Sequence, residues 1–332
     1  RAAALARKYW ASMSVSLPEQ GSQAFVAAMR AAVLAGDELL ALLGSWHKAV
    51  HVIRRVWRED HGNHLAGAHS EKLEGMVSPE LLEYIRRVST SGVPSRTPNR
   101  PTHRVQAEAH NSAKEHIDEV LHKIFKIASK GRILLCSSAS EPYLEGVIST
   151  PMGRVPKLLT NRTVSPDGRL IHDQRYPVNE LGSKFDHPPA KQPFHRQVAR
   201  TIFWLQAKYP GLEVLLSKLD VDAAFQNIPI AEDDVCEFAT QLPGAALGIE
   251  GDVIALYLVL GFVLVGSPGE YQIWGTASQQ FFQNHSLKKT NGTGIIPSPT
   301  PSSLMITFTS RSPLACGSTC PAVWGRSPSG SC

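Results

Sequence analysis

The sequence has no aspartate or glutamate after Glu270, although residues 271–332 carry four basic side chains. Any chemistry that needs carboxylates must therefore use residues 1–270. The net charge of +5 is unevenly spread, because residues 1–270 hold the remaining 30 of the 34 basic side chains against all 29 acidic ones. Since this part is close to neutral, bulk charge does not predict a polyanionic partner, and phosphate contacts would have to come from local patches.

Paired cysteines are also missing. The chain has five cysteines, an odd number, and they form no CxxC pair: Cys136, Cys236, Cys316, Cys320 and Cys332. This pattern does not favour a secreted domain held together by disulfides; it favours a reducing compartment, the cytoplasm or the nucleus. Because the sequence begins at Arg1 rather than at a methionine, a fragment of a longer chain is one interpretation.

Long apolar runs are absent as well. The longest, residues 253–265, has thirteen residues, which is shorter than the ~20 that a helix needs to span a bilayer. We predict no membrane partner and a buried strand in this run. The apolar content of 42% is ordinary for a soluble globular protein.

Helical spacing of apolar residues dominates the first part of the chain. It predicts a helical N-terminal region over residues 1–88, in which Ser78, Pro79 and Glu80 form a helix start. Residues 89–104 are rich in Pro, Ser and Arg and are predicted to be a linker at a domain boundary. Residues 105–136 predict a helix that Gly131 ends, followed by a strand over 132–136.

The pattern then changes to short apolar pieces separated by Gly and Pro, which predicts small antiparallel strands and loops. Residues 137–212 form one segment of this kind and include a helix over 197–209. Residues 213–286 begin with a strand that leads into Asp220 and continue through an acidic turn at 232–234. Residues 287–332 are rich in Ser, Thr, Pro and Gly and are predicted to be disordered.

The strand that leads into Asp220 carries the clearest chemical signal. A strand end holds a carboxylate in a rigid position, and hard Mg²⁺ prefers oxygen ligands, to which the carbonyl of Val221 could add. An aromatic residue, Phe225, follows five positions later. The plain alternatives are that Asp220 caps a turn at an ordinary strand terminus and that Phe225 belongs to the core.

Residues 219–225 resemble the first palm motif of reverse transcriptases, and their continuation to residue 234 is similar to the DIRS-like group of retrotransposons: Leu219-Asp220-Val221-Asp222-Ala223-Ala224-Phe225. The resemblance implies that Asp220 is catalytic, that Asp220 and Val221 bind metal, and that Phe225 packs against the nucleotide sugar. It extends over roughly residues 146–271 and does not cover residues 1–130.

A second motif, residues 257–271, resembles the strand, glycine turn and helix that hold the template base pair in that family. By this resemblance Gly266, Ser267 and Pro268 bind the nucleotide, with Gly266 allowing close approach and Pro268 in the first turn of the next helix. Val263 and Leu264 depart from the Gly-Trp pair that is usual there. These exchanges are typical of drift in a copy that is not under selection.

Two upstream stretches, residues 153–157 and 168–179, resemble the fingers of the same family. They make Lys157 and Arg169 candidates for contacts with the incoming triphosphate, because cationic side chains neutralise developing phosphate charge. The alternative is that both are solvated residues of a basic hairpin.

Together these resemblances imply an α+β protein: right-hand polymerase fingers over 137–212 and a partial palm over 213–286, preceded by a mainly helical region. The implied reaction is RNA-directed DNA synthesis on an RNA or DNA template-primer from dNTPs, with two Mg²⁺ ions. The family's paired aspartates should follow within several dozen residues of Tyr271, but no acid occurs there. We therefore expect an inactive, degenerate copy with an out-of-frame tail. The alternative function is a nonenzymatic nucleic-acid or protein binding module that keeps the scaffold.

Overall fold

The fold is taken from a computed structural model of the chain. It describes all residues except 14–16, 63–70, 99, 160, 174–175, 177–181, 191–194, 212, 219–220, 262–263, 288–303 and 310–332. Helices and small antiparallel sheets are combined, so the expectation of an α+β protein is confirmed at that level. No helix in the described part of the chain is long and apolar enough to cross a membrane.

The N-terminal region is helical, as predicted. Its described residues include α1 (Ala2–Ala11), α2 (Gln23–Leu43), α3 (Trp46–His61) and α4 (Pro79–Ser91). The hydroxyl of Ser22 accepts a hydrogen bond from the Phe25 N–H at the start of α2, and Gly44 ends that helix with φ 75°. These local signals set the helix limits, because a capping hydroxyl satisfies an orphan N–H and glycine tolerates the left-handed conformation.

The predicted start of α4 is correct, but Ser78 does not act as a side-chain cap there. Its own backbone N–H instead donates to Oε1 of Gln280 at 2.8 Å. Gln280 belongs to α8 (Ser267–Leu287). This hydrogen bond joins the start of α4 to α8.

The helix predicted from residue 105 begins later in the structure. Val105 forms a bridge with Ile148, and helical structure starts with the short α5 (Asn111–Lys114) and continues in α6 (Ile117–Ala128). Gly131, with φ 74°, terminates this segment as predicted, and β1 (Ile133–Ser137) follows. The extended backbone at Val105 is set by the isolated bridge to Ile148 and not by side-chain periodicity.

The central sheet has three antiparallel strands in the order β1, β6 and β5, where β5 is Ala239–Pro243 and β6 is Asp252–Tyr257. Helix α2 packs on β1 so closely that a Cβ on Gly36 would lie 1.8 Å from the Leu135 carbonyl oxygen. The Tyr9 hydroxyl donates to the Ile133 carbonyl at 2.8 Å and accepts from the Leu135 N–H at 2.9 Å. One hydrophobic core therefore joins the N-terminal helices to this sheet.

Strand β6 is shorter than the predicted strand over 253–265. After Tyr257 the chain stays partly extended but changes partner, because Val259 bridges Pro229 and the Leu260 N–H donates to the Ile228 carbonyl at 2.8 Å. This change of partner brings the segment that follows Phe225 alongside the end of β6.

Residues 89–104, predicted to be a linker, pack against the turn over 232–237. Val93 bridges Ile230, and the buried Ser95 hydroxyl donates to Oε1 of Glu237 at 2.6 Å. Arg100 forms ion pairs with Glu237 and Asp234, both buried. The main core includes residues on both sides of this segment, from Ala6 to Leu264.

Two further strand pairs lie outside the central sheet. The hairpin consists of β2 (Met152–Leu158) and β3 (Val164–His172), and the other pair consists of β4 (Glu213–Lys218) and β7 (Leu304–Thr309). Helix α7 (His195–Lys208) precedes β4, close to the helix predicted over 197–209. Strand β7 lies in the tail that is predicted to be disordered, and it gains its hydrogen-bonding partners from β4.

Candidate functional site

The predicted catalytic residue, Asp220, lies outside the described residues, as does Leu219. The strand that leads towards it, β4, ends at Lys218. On the other side, Val221 is 51% exposed and Asp222 is also exposed. The described residues on either side are thus a strand end at Lys218 and an exposed segment that begins at Val221 and leads into a turn.

Phe225 lies in a single 3₁₀ turn, Ala224–Asn227, and its ring packs edge-on against the ring of Tyr271 in α8. The two ring centroids are 5.7 Å apart and the ring planes meet at 89°. Both side chains are half-buried at the edge of the main core. The contact joins the segment that begins at Asp220 to the helix that begins at Ser267, so the two motifs lie together in space.

Arg132, which directly precedes β1, organises the turn after Val221. Its Nη2 donates to Oδ1 of Asn227 at 2.5 Å, and Nδ2 of Asn227 donates to the Asp222 carbonyl at 3.1 Å. Ala223 takes the left-handed conformation with φ 50°, which is uncommon for a residue other than glycine. Arg132 thus holds a turn of unusual backbone conformation between the predicted metal ligands and Phe225.

Burial lowers the pKa of Arg132, and its Nε is buried without a hydrogen-bond partner. Sequence reasoning did not identify Arg132. An arginine directly before the apolar strand over 133–136 was the available signal, because a charged side chain at such a position needs a partner.

The Asp222 carboxylate is 88% exposed and pairs with the ammonium of Lys130, 3.1 Å away. The hydrogen bond from Lys130 and its charge lower the pKa of Asp222. Asp222 is therefore an ionised surface carboxylate that already has a cationic partner.

Gly266 directly precedes α8, and its backbone lies very close to another part of the protein, the ring of His187. A Cβ on Gly266 would lie 2.3 Å from Cγ of the His187 ring, and a Cβ on Gly269 would lie 1.7 Å from the Pro188 carbonyl oxygen. The sequence predicts that the glycine lets a nucleotide approach. In the structure the residue pair at 187–188 occupies that space.

Ser267 and Pro268 begin α8, as the resemblance implies. Ser267 is fully buried, and its hydroxyl donates to the Gly261 carbonyl at 2.7 Å. Pro268 is exposed in the first turn. The Ser267 hydroxyl therefore stabilises the turn before the helix and would have to leave the Gly261 carbonyl in order to donate to a phosphate.

A hydrogen-bonded triad, Tyr84–Glu270–His187, lies beside this turn, with Glu270 and His187 buried and Tyr84 half-buried. Oε2 of Glu270 accepts from the Tyr84 hydroxyl at 2.7 Å, and Oε1 lies 2.9 Å from Nδ1 of His187. The side chains of Glu270 and His187 are 3% and 1% exposed, and Nε2 of His187 has no hydrogen-bond partner. Burial, together with the hydrogen bond to Glu270, raises the pKa of Tyr84.

The triad links three segments that are far apart in the sequence, so no local pattern indicates it. Because both oxygens of Glu270 are engaged inside the protein, this carboxylate serves to join α4, α8 and the segment at His187.

Lys157 and Arg169 are both exposed on the β2–β3 hairpin, where Arg169 is paired with Val155 and Lys157 with Ser165. One cation that anchors the hairpin is Arg154, whose Nε donates to Oε2 of the buried Glu119 at 3.1 Å. The other oxygen of Glu119 accepts from the Gly168 N–H at 2.7 Å. Lys157 and Arg169 are therefore free to meet solvent or a ligand, whereas Arg154 is structural.

The donor set can be tested against the implied Mg²⁺. Among the described residues, no three His, Cys, Asp or Glu side chains come together in a way that could hold a metal ion. Asp222 is paired with Lys130, and Glu270 is enclosed by Tyr84 and His187. Since a pair of Mg²⁺ ions needs carboxylates from at least two rigid positions, the described donors do not fit it.

The chain was compared with known protein families and with curated proteins. No protein-family model matches the chain, and no curated protein matches its sequence at a significant level.

Proposed function

We propose that the chain is a degenerate portion of a retroelement reverse transcriptase, in which residues 137–286 derive from fingers and part of a palm. The ancestral activity is RNA-directed DNA synthesis by two-metal nucleotidyl transfer. In this proposal the chain keeps part of the polymerase fold but has lost the nucleotidyl-transfer activity.

The observation that carries the proposal is the contact between Phe225 and Tyr271, whose ring centroids are 5.7 Å apart. The resemblance to reverse transcriptases rests on two motifs that are about forty residues apart in sequence. One nucleotide would have to touch both motifs, so they must be adjacent in space. The aromatic contact supports this requirement, as does the start of α8 at Ser267.

The expected inactivity follows from the lack, among the described residues, of carboxylates that could hold two metal ions. In-line attack of a 3′-hydroxyl on an α-phosphate needs two metal ions ~3.5–4 Å apart, each held by rigid oxygen ligands. Residues 271–332 contain no acid, and the described carboxylates near Phe225 are engaged by other side chains. An incompletely held metal pair neither orients the attacking hydroxyl nor stabilises the leaving pyrophosphate.

Primer extension by the purified chain tests the proposal. We expect no extension of a labelled DNA primer on an RNA or a DNA template with dNTPs and Mg²⁺ or Mn²⁺, under conditions in which an active reverse transcriptase extends it fully. Extension that Asp220→Asn abolishes would contradict inactivity and would require a second carboxylate, with Asp222 as the first candidate.

The coding DNA gives an independent test of the ancestry. If the tail arose by a shifted frame, another frame beyond codon 286 encodes a hairpin with two adjacent aspartates within a few hundred bases. The absence of such a hairpin from all three frames would remove the frameshift from the proposal.

A further inference from the structure

Helix α7, all of whose residues are described, is an unusually exposed element. Leu205 is its one buried residue. Phe203 is 71% exposed and Trp204 is 50% exposed. Two neighbouring large aromatic side chains that remain in solvent are uncommon on a protein surface, and they indicate a contact surface.

Positive charge accompanies these rings. Residues 195–211 contain Arg196, Arg200 and Lys208 and no acid. Arg200 is three residues before Phe203 and four before Trp204, so it lies on the same side of the helix. The Lys208 ammonium lies 4.6 Å from the centroid of the Trp204 ring. We call Arg200, Phe203, Trp204 and Lys208 the aromatic-basic face of α7.

Three kinds of partner could cover this face, and its chemistry distinguishes them. A membrane-surface helix presents a continuous apolar stripe, whereas this face has two large apolar side chains between cations. Protein interfaces also favour Trp, Phe and Arg, but lysine is depleted from them, and here Lys208 lies over the Trp204 ring. Exposed rings interleaved with cations match a polynucleotide strand, because bases stack on aromatic rings while phosphates meet the cations.

We propose that the aromatic-basic face of α7 binds single-stranded nucleic acid. A single strand is favoured over a duplex because paired bases are stacked on each other and cannot offer their faces to Phe203 and Trp204. The inference does not rest on the proposed polymerase ancestry. It uses neither Asp220 nor a metal ion, and it concerns a surface that precedes β4 in the chain.

Fluorescence anisotropy of a labelled twenty-nucleotide oligo(dT), titrated with the full chain in EDTA, tests the proposal. We expect saturable binding, weaker binding to a duplex of equal length, and affinity that falls as salt is raised. The double variant Phe203→Ala/Trp204→Ala should bind at least about tenfold more weakly, because stacking is lost for one or two bases. Arg200→Ala/Lys208→Ala should reduce the magnitude of the slope of log affinity against log salt by about 1.4, since each phosphate contact on a single strand contributes ~0.7.

Phe185→Ala is the matched control. Phe185 is an exposed aromatic with a lysine, Lys184, over its ring at 5.1 Å, but it lies in a 3₁₀ turn outside α7. This variant should bind oligo(dT) like the wild type. Circular dichroism of every variant must match the wild type, and Arg200→Glu supplies a second test in which both aromatic rings remain.

Three outcomes would overturn the proposal. The first is that the wild-type chain does not bind oligo(dT), and the second is that Phe185→Ala weakens binding as much as the α7 variants. The third is binding to phosphatidylserine vesicles, lost in the α7 variants, without oligo(dT) binding, which would assign the face to a membrane surface instead. Because every arm is run without metal or dNTP, failure here leaves the outcome of primer extension unaffected.

Discussion

Nδ1 of His187 lies 2.9 Å from Oε1 of Glu270, although 83 positions separate the two residues in the sequence. Both side chains are almost completely buried. The pair fixes the segment at residue 187 against the first turn of α8 and fills the space beside Gly266. The start of α8 is therefore a rigid, internally satisfied junction.

Removing the Glu270 carboxylate should destabilise the protein. Glu270→Ala leaves the Tyr84 hydroxyl and the buried His187 without their partner, and we expect the free energy of unfolding to fall by about 2–4 kcal/mol. Urea unfolding followed by circular dichroism measures the change. Glu250→Ala, at an exposed glutamate of the described part of the chain, should change it by less than about 0.5 kcal/mol. Equal effects of the two substitutions would mean that the triad is not structural.

A methyl group at Gly266 should also destabilise the fold. Its Cβ would lie 2.3 Å from the His187 ring, which is itself buried, so Gly266→Ala should lower the free energy of unfolding by about 1–3 kcal/mol. Gly261→Ala is the control, because a Cβ there meets no atom within 4 Å. Thermal unfolding of the two variants compares them directly. A melting temperature for Gly266→Ala as high as that for Gly261→Ala would show that His187 is able to move away.

The hairpin β2–β3 should lose its anchor in acid. Burial alone would raise the pKa of Glu119, but hydrogen bonds from Lys123 and the Gly168 N–H, together with the charges of Lys123 and Arg154, lower it from 4.5 to about 2. Because the pKa is lower in the folded state, the stabilisation is complete above about pH 5 and is lost as the pH falls towards 2.

Comparison of the wild type with Glu119→Gln isolates this contribution. We expect the wild type to be more stable by about 1–3 kcal/mol at pH 7, and the difference should shrink between about pH 5 and pH 2. Glu83→Gln, on the exposed side of α4, is the control and should unfold like the wild type. A difference between Glu119→Gln and wild type that stays constant with pH would contradict the role of the ionised carboxylate.

Cys136 and Cys236 should resist thiol reagents in the native protein. Both are buried, and burial raises the pKa of each thiol, that of Cys236 to about 12. Since the thiolate is the reactive form, we expect peptide mass spectrometry to find neither cysteine alkylated by iodoacetamide at pH 8 without denaturant, and both alkylated in urea. Native labelling of Cys136 would show that β1 opens readily.

The sequence by itself determined the local elements. Gly131 ends the helix before β1, Pro79 stands at the first position of α4, and apolar spacing marks α2. These signals are reliable because each acts within one or two helical turns, through backbone conformation, capping or the burial of one face. The α+β class follows from the same signals.

Only the tertiary structure determined which distant residues contact each other. Val105 is extended because Ile148 is beside it, β7 lies in a strand because β4 supplies hydrogen bonds, and Gly266 accommodates the His187 ring instead of a ligand. The triad and the Arg132 contacts likewise join residues that are far apart along the chain. Local periodicity cannot specify such pairs, because burial and hydrogen bonding between distant segments are determined only when the whole core is assembled.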